Sequence, residues 1–434
     1  MRFFDKRYIY YGNLEFQQKV IGGCRCELVS NAIDPESWNA SISVFDGSHL
    51  DLHRAMDAHN DLLFKAKDQQ EELVVKPMFL SYSSSSHDDE ILKFRINQLI
   101  RNRKYSTQRI SKVHLSYFIP VSELYKRRAG VVKHYRKGLL SGWNGWRREY
   151  GDLSVSNEWD DEVYSVPSDY GTIAFVPIML FQETPIEEQE ATVVVDHMII
   201  ECALEGEQLM IENCKETFDR KVEDYLYILS FLEGDFLDWY LCRGNGQTKD
   251  EKLAVEIEHF NAVRMKKEQK KDDYRFLAQR ENLQRAHIDL TRAFGTKSEE
   301  EKNRVRRVID RFIVASRVSA IDTRLIYWHS CLDVLAKELG GEGRFFSHKI
   351  LDSCKRMNID CRDIYPQIDE ASLEQKAEFP INRIRNAMLH HGEYPDDYTE
   401  VFEEIPRTRA LCERLIMKML GIDYEGTGLG VVGR

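Results

Sequence analysis

Long apolar runs are missing from this sequence. No stretch approaches the roughly 20 consecutive apolar residues that a membrane-spanning helix requires. The first residues, MRFFDKRYIYYGNLEF, also lack the basic segment followed by an apolar segment that marks a secretory signal. We therefore expect a cytoplasmic protein without a membrane partner.

Regularly spaced cysteine pairs are missing as well. The chain has nine cysteines, an odd number, and most are scattered, which favours reduced thiols over a disulfide framework. The closest two, Cys24 and Cys26, have no second pair at the spacing of zinc ligands. We interpret them as strand residues rather than metal ligands, and we expect neither a metal nor another cofactor.

The sequence also has no excess of positive charge. The net charge of -11 excludes a surface that is basic all round, so a nucleic-acid partner would have to be bound by a local patch. Hydrophobic residues make up 42% of the chain and charged residues 31%, as in folded soluble proteins. A length of 434 residues indicates two or three domains.

The first half of the chain carries strand patterns. In KVHLSYFIPV, apolar residues alternate at Val113, Leu115, Tyr117 and Ile119, and TIAFVPIMLF and ATVVVDHMII are β-branched runs of strand length. We predict a β-rich mixed domain over residues 1–205 that senses or regulates.

The next stretch, residues 206–298, is predicted to be a helical connector. KVEDYLYILSFLEGDFLDWYL has apolar residues at helical spacing, and AVEIEHFNAVRMKKEQKKDDYRFLAQR reads as a charged helix without glycine. Between them, RGNGQTKD lacks the spacing and the preceding strand of a phosphate-binding loop.

Residues 299–421 are predicted to form an all-α bundle, followed by a flexible tail over residues 422–434. Asp322 fits an N-cap, Gly340 follows a helix end, and Pro406 fits a first helical position. The whole chain is therefore expected to have an α+β fold. The five amphipathic segments are NRVRRVIDRFIVASR, DTRLIYWHSCLDVLAKELGG, RFFSHKILDSCKRM, FPINRIRNAMLHHGEYPDD and PRTRALCERLIMKML.

The fourth of these helices is predicted to begin at Pro380 and to end before Gly392. Helical spacing places an apolar face on one side, and Asn386 and His390 on the opposite side. Arg385 falls roughly 140° from His390. The simplest interpretation is that the histidines cap the negative end of the helix and that Arg385 extends from the bundle surface. The apolar face consists of Ile381, Ile384 and Met388.

The run Arg385-Asn386-Ala387-Met388-Leu389-His390 has the form R-N-x-x-x-H. It resembles the motif of the HEPN superfamily, and together with LIYWHSCLDVLAKELG it looks most like the ApeA-like branch over about residues 300–421. The resemblance implies a HEPN-like helical bundle and a metal-independent endoribonuclease that acts as a homodimer, with two motifs facing each other across a shared cleft. It also implies antiviral defence by abortive infection, or a toxin-like role. The site residues carried over are Arg385, Asn386 and His390.

These residue types suit RNA cleavage by the 2′-hydroxyl of the substrate. His390 can act as general base or acid near neutral pH, and Arg385 offers a planar fork to phosphate oxygens. Asn386 is expected to orient the His390 ring. The wide angle between Arg385 and His390 favours a site completed by a second copy. Gly392 stands where some HEPN proteins carry a tyrosine that is modified to inactivate them. The alternatives are a catalytically inactive HEPN-like bundle for dimerisation or for binding of a ligand or RNA, and a purely structural scaffold.

Two further groups of residues are candidates for binding RNA or a ligand. In YKRRAGVVKHYRKGLLSGWNGWRREY, cations interleave with aromatic rings, a pattern that suits single-stranded nucleic acid or a trigger such as a nucleotide or a phage product. On the first bundle helix, arginines beside a cleft would attract phosphate. An ordinary solvated surface is the alternative for both. The candidate residues are Arg127, Arg128, Trp143, Trp146, Arg304 and Arg307.

Overall fold

The strands and helices of this protein separate into two units, one of residues 1–220 and 238–268 and one of residues 221–237 and 269–434. The first unit is mainly β-sheet and the second is helical, so the predicted α+β class is confirmed. The computed structural model describes residues 5–16, 19–31, 38–44, 62–68, 70–84, 90–120, 153–156, 164–168, 171–186, 189–262, 280–366, 378–393 and 398–423.

Antiparallel strands of the first unit form one sheet within these ranges. They are β1 (Asp5–Phe16), β2 (Lys19–Asn31), β3 (Asn39–Val44), β4 (Leu63–Lys67), β5 (Glu71–Ser84), β6 (Glu90–Lys104), β7 (Ile110–Pro120), β8 (Leu153–Ser156), β9 (Tyr164–Ser168), β10 (Gly171–Ile186), β11 (Gln189–Leu209), β12 (Leu241–Gln247) and β13 (Leu253–Asn261).

The first six strands close on themselves in the order β3-β2-β1-β4-β5-β6, because residues 91–95 of β6 also pair with β3. Residues 98–104 of β6 pair instead with β13, and the sheet continues through β12, β7, β11, β10 and β8. Closure removes free edges from this part of the sheet and encloses an apolar core. Large members of that core are Phe16, Leu28, Trp38, Ile42, Phe64 and Phe94.

The strand predictions for KVHLSYFIPV, TIAFVPIMLF and ATVVVDHMII are confirmed, since residues 112–120 of the first segment lie in β7 and the other two segments lie in β10 and β11. In β7 the four alternating apolar residues are all buried. Cys24 and Cys26 are buried in β2, one strand period apart, and the nine cysteines of the chain are free thiols.

The helical prediction for the segment that forms β12 and β13 is wrong. Gly244 and Gly246 resemble a loop in sequence, yet they lie in β12, where a Cβ on Gly246 would come within 2.8 Å of Val255 Cγ1. Glu258, which reads as a solvated helix residue, is buried in β13 and accepts a hydrogen bond from Arg243 Nε at 2.6 Å. Pairing with distant strands therefore determines this hairpin, and local sequence patterns do not indicate it. Residues 263–279 of the same stretch lie outside the described part.

In the described part of the chain, the helices follow from residue 211 onward. Each of the five segments predicted for the bundle contains a helix. The first segment of the connector is helical only as far as Glu233, so the helical prediction for its residues 234–241 is wrong. The helices are α1 (Ile211–Glu233), α2 (Arg280–Gly295), α3 (Glu299–Arg317), α4 (Ile321–Glu338), α5 (Phe346–Arg356), α6 (Pro380–Asn386), which continues as a π-helix over Ala387–His391, and α7 (Thr399–Leu420).

Helix ends agree with sequence signals in part. Gly340 follows α4 with a positive φ of 70°, as predicted. The prediction for Asp322 is wrong, because Ala320 is the N-cap and Asp322 lies in the first turn. The prediction for Pro406 is also wrong, because α7 begins at Thr399. Its first turns are held by buried Val401 and Glu404, so one missing proline N–H does not end the helix.

The helical unit buries the apolar stripes that the sequence indicates. Phe312 of α3 and Trp328 of α4 meet edge to face with ring centroids 5.0 Å apart. Among the described helices, none is long and apolar enough to cross a membrane. The buried stripe residues are Val305, Val308, Ile309, Phe312 and Ile313 of α3 and Leu325, Trp328, Leu332, Leu335 and Leu339 at α4.

Candidate active site

The candidate site lies at the C-terminal end of α6, a helix fixed by its buried face and by both of its ends. Ile381, Ile384 and Met388 are buried, as the spacing predicted. Pro380 is the first residue of the helix, again as predicted. The backbone N–H of Ile381 donates to Glu404 Oε1 at 3.1 Å, so a buried carboxyl group from α7 satisfies a donor that has no partner within the helix.

The last turn of this helix is wound as a π-helix. Gly392 N–H donates to the carbonyl oxygen of Ala387, five residues back, and Gly392 ends the turn with a φ of 67°. A left-handed conformation of this kind is readily adopted only by glycine. Single π-turns widen a helix locally and are frequent at functional sites.

The wide turn brings Arg385 and His390 together. Arg385 Nη1 lies 3.3 Å from His390 Nε2. The expectation that one helix holds these side chains far apart is therefore wrong, because it assumed α-helical winding up to the end of the helix. A guanidinium can only donate, so His390 Nε2 is the acceptor in this contact, which requires the tautomer with its proton on Nδ1.

Asn386 is hydrogen-bonded to Arg385. Its Oδ1 accepts a hydrogen bond from Arg385 Nη1 at 2.8 Å. The prediction that Asn386 orients the His390 ring is wrong, since the amide oxygen is directed to Arg385. Arg385 and Asn386 are half-buried, whereas His390 and the adjacent His391 are exposed. One chain thus presents a cation and a histidine side by side at the protein surface.

Three residues that sequence reasoning missed extend this group. Asn382 Nδ2 and, at 3.4 Å, Asn386 Nδ2 both donate to Glu378 Oε1. His329 Nε2 of α4 lies 2.9 Å from Asn382 Oδ1. A sequence signal was present, because Glu378, Asn382, Asn386 and His390 recur at intervals of four, which places them on one helix face.

His329 is held as a neutral ring. It stacks on Phe346 with centroids 4.3 Å apart. Burial lowers the pKa of His329, the hydrogen bond with Asn382 opposes this shift, the positive charge of Arg385 lowers the pKa further, and Asp333 raises it. His329 is therefore uncharged at neutral pH, and it braces Asn382 without adding a charge beside Arg385.

The arginines on α3 are engaged with Glu338. Arg307 Nε donates to Glu338 Oε1 at 2.8 Å, and Arg304 Nε lies 3.3 Å from Glu338 Oε2. These two ion pairs lower the pKa of Glu338, with Arg307 as the main cause. A cleft of about 710 Å³ lies between α3 and α4 beside this cluster, and Arg311 and Lys337 also line it. Binding of RNA by Arg304 and Arg307 stays a prediction.

The other predicted contacts, Arg127, Arg128, Trp143 and Trp146, lie outside the described residues. Within the described ranges, no group of three or more His, Cys, Asp or Glu side chains is arranged to hold a metal ion. Comparison of the chain with models of protein families, with curated proteins and with solved structures gave no match.

Proposed function

We propose that this protein is a metal-independent endoribonuclease of the HEPN type, with Arg385, Asn386 and His390 as its site. The observation that supports this best is the contact of Arg385 with an exposed His390 at the end of a helix in the helical unit. A neutral histidine beside a fixed guanidinium supplies a proton acceptor and a positive charge, which are two of the three things that transesterification of RNA needs; the third is a proton donor.

In the proposed reaction, the 2′-oxygen of the substrate forms a bond to phosphorus and the bond from phosphorus to the 5′-oxygen breaks. His390 accepts the proton of the 2′-hydroxyl once Arg385 turns from Nε2 to the phosphate. Arg385 then neutralises charge on the phosphorane oxygens. The products are a 2′,3′-cyclic phosphate and a 5′-hydroxyl, and the 5′-oxygen receives its proton from a protonated His390 of the second copy.

In a homodimer formed through the helical unit, the second copy supplies the proton donor for this reaction. The acceptor and the donor of protons must act on opposite sides of phosphorus, whereas one chain carries one Arg385–His390 pair. A second copy would place an equivalent pair across the same phosphate. Leu389, in the π-helical turn of the site helix, and Phe402, on α7, are exposed, with 49% and 64% of their surface accessible. They provide apolar area for such an interface.

The experiment compares RNA cleavage by five versions of the chain in a chelator-containing buffer. We expect the wild type to cut bulk cellular RNA to cyclic-phosphate ends, and His390→Ala and Arg385→Ala to lose at least about 100-fold in rate. His391→Ala and Arg383→Ala are matched controls and should keep the activity. Arg383 is an exposed arginine that pairs with Glu400.

Equal RNA patterns in all lanes would overturn the proposal and favour the inactive HEPN-like module that binds RNA or a ligand. For the cellular role, we propose defence against phage or toxin-like arrest of growth, with the β-rich unit as the sensor. Expression of the wild type during infection should reduce phage yield, and His390→Ala should abolish that reduction. Equal yields for both chains would remove this role.

A further inference from the structure

Among the described residues, Glu378 accepts hydrogen bonds from the side chains of both asparagines of the site helix. It lies immediately before the N-cap residue Phe379, and its Oε1 accepts from the side-chain amides of Asn382 and Asn386. It is also close to the positive end of the α6 dipole, where a carboxylate is stabilised. A single carboxylate therefore joins two successive turns of the helix.

The carboxylate determines which way both amides point. A carboxylate only accepts hydrogen bonds, so each asparagine must turn its NH2 group to Glu378 and its oxygen away. The outward oxygens then have defined partners, with Asn382 Oδ1 at 2.9 Å from His329 Nε2 and Asn386 Oδ1 accepting from Arg385 Nη1 at 2.8 Å. With its NH2 group turned outward, Asn386 could not accept from the guanidinium of Arg385.

We propose that Glu378 is a positioning residue for the Arg385–His390 pair, because it orients the Asn386 amide that holds Arg385 against His390. This inference rests on the proposed ribonuclease function for its effect on cleavage, although the arrangement itself is independent of that function. The hydrogen-bonded path runs from His329 through Asn382, Glu378 and Asn386 to Arg385, and each donor on it faces an acceptor.

His329 secures the far end of this path. The hydrogen of its Nε2 must point to Asn382, since the amide nitrogen of Asn382 already faces Glu378. Stacking on Phe346 keeps the ring in place. The amides are thus tied to α4 on one side and to the carboxylate on the other, which limits the motion of Arg385 before substrate arrives.

Charge reversal at Glu378 tests the proposal, because a lysine only donates and would turn both amide oxygens inward. We expect Glu378→Lys to lower kcat/KM for RNA by roughly 10- to 100-fold with its main effect on kcat, as for groups that orient a reacting residue. Glu378→Gln keeps an oxygen acceptor and should stay within about 3-fold of wild type. Glu393→Lys makes the same charge change at an exposed position and should also stay within about 3-fold.

Two further measurements separate positioning from a general loss of structure. In the Arg385→Ala background, Glu378→Lys should cause no further loss of cleavage, because its effect passes through Arg385. In full-length protein with 15N-labelled histidines, Glu378→Lys should shift the ring nitrogens of His390, assigned with His390→Ala, whereas Glu393→Lys should leave them unchanged.

The spectra do not depend on RNA cleavage, so they also distinguish the two proposals. Unchanged His390 signals in Glu378→Lys, or additive losses in the double variant, would overturn the positioning role. Shifted His390 signals in a protein that does not cut RNA would retain the positioning role and overturn the ribonuclease function alone.

Discussion

Replacing Glu404 with glutamine probes how the helical unit holds the site helix. Glu404 is fully buried, and its Oε1 accepts from Ile381 N–H, from Tyr365 OH at 2.8 Å and from Thr408 Oγ1 at 3.3 Å. Its Oε2 is buried without a hydrogen-bond partner among the described residues. Burial raises the pKa of Glu404 to about 7, although the hydrogen bonds and Arg407 oppose the shift.

The sign of the pH effect follows from the direction of that shift. The folded state binds the Glu404 proton more firmly than the unfolded state, so its contribution to stability is complete below the ordinary pKa of 4.5 and is lost as pH rises through about 7. At 1.36 kcal/mol per pKa unit, the loss between pH 5 and pH 8 is about 2 to 3 kcal/mol. Glutamine keeps an acceptor oxygen and carries no charge at any pH.

We expect the free energy of unfolding of Glu404→Gln, relative to wild type, to rise by about 2 to 3 kcal/mol from pH 5 to pH 8. Urea unfolding followed by far-ultraviolet circular dichroism at each pH measures this difference. Glu403→Gln, at the exposed neighbouring position, is the control and should change by less than about 0.5 kcal/mol. A Glu404→Gln difference as flat as that of Glu403→Gln would refute a buried carboxyl group that ionises near pH 7.

Three other substitutions test local features by thermal or urea unfolding. Gly392→Ala should lower stability by about 1 kcal/mol, because φ is 67° there. The control Gly295→Ala, at the end of α2 with open space around it, should be neutral or slightly stabilising. Equal losses of stability in the two variants would contradict this reasoning. Ser298→Ala removes the capping box of α3 and should cost about 1 kcal/mol; an unchanged midpoint would contradict it. Asp224→Ala should cost roughly 3 kcal/mol, because it removes the carboxylate at 2.7 Å from buried Lys302 and leaves only the longer ion pair with exposed Glu299 at 3.7 Å. The double variant with Lys302→Met should recover most of that loss, and an additive loss would refute this account.

Local patterns predicted the parts of the fold that depend on local physics. Alternation identified β7, and helical spacing identified the buried faces of α3, α4 and α6. Pro380 and Gly392 marked the ends of the site helix because proline tolerates the first helical turn and glycine tolerates a positive φ.

Patterns failed where a distant residue decides the outcome. Gly244 and Gly246 lie in a strand because β12 pairs with β13 and β7, and neighbouring side chains leave space only for glycine there, which a local pattern does not reveal. Glu258 can be buried in its strand because Arg243 and Arg101 pair with its carboxylate. Pro406 lies inside α7 because buried Val401 and Glu404 hold the preceding turns.

For the candidate site, the sequence by itself determined the residue types, their order and the helix that carries them, since these follow from spacing and end signals. Only the tertiary structure decided that the last turn is π-helical, and this turn brings Arg385 within 3.3 Å of His390. It also decided that Glu378 and His329 fix the orientation of the amides between them. The physical reason is that hydrogen-bond direction and helix winding depend on partners several turns away or on another helix, whereas spacing reports only neighbours along the chain.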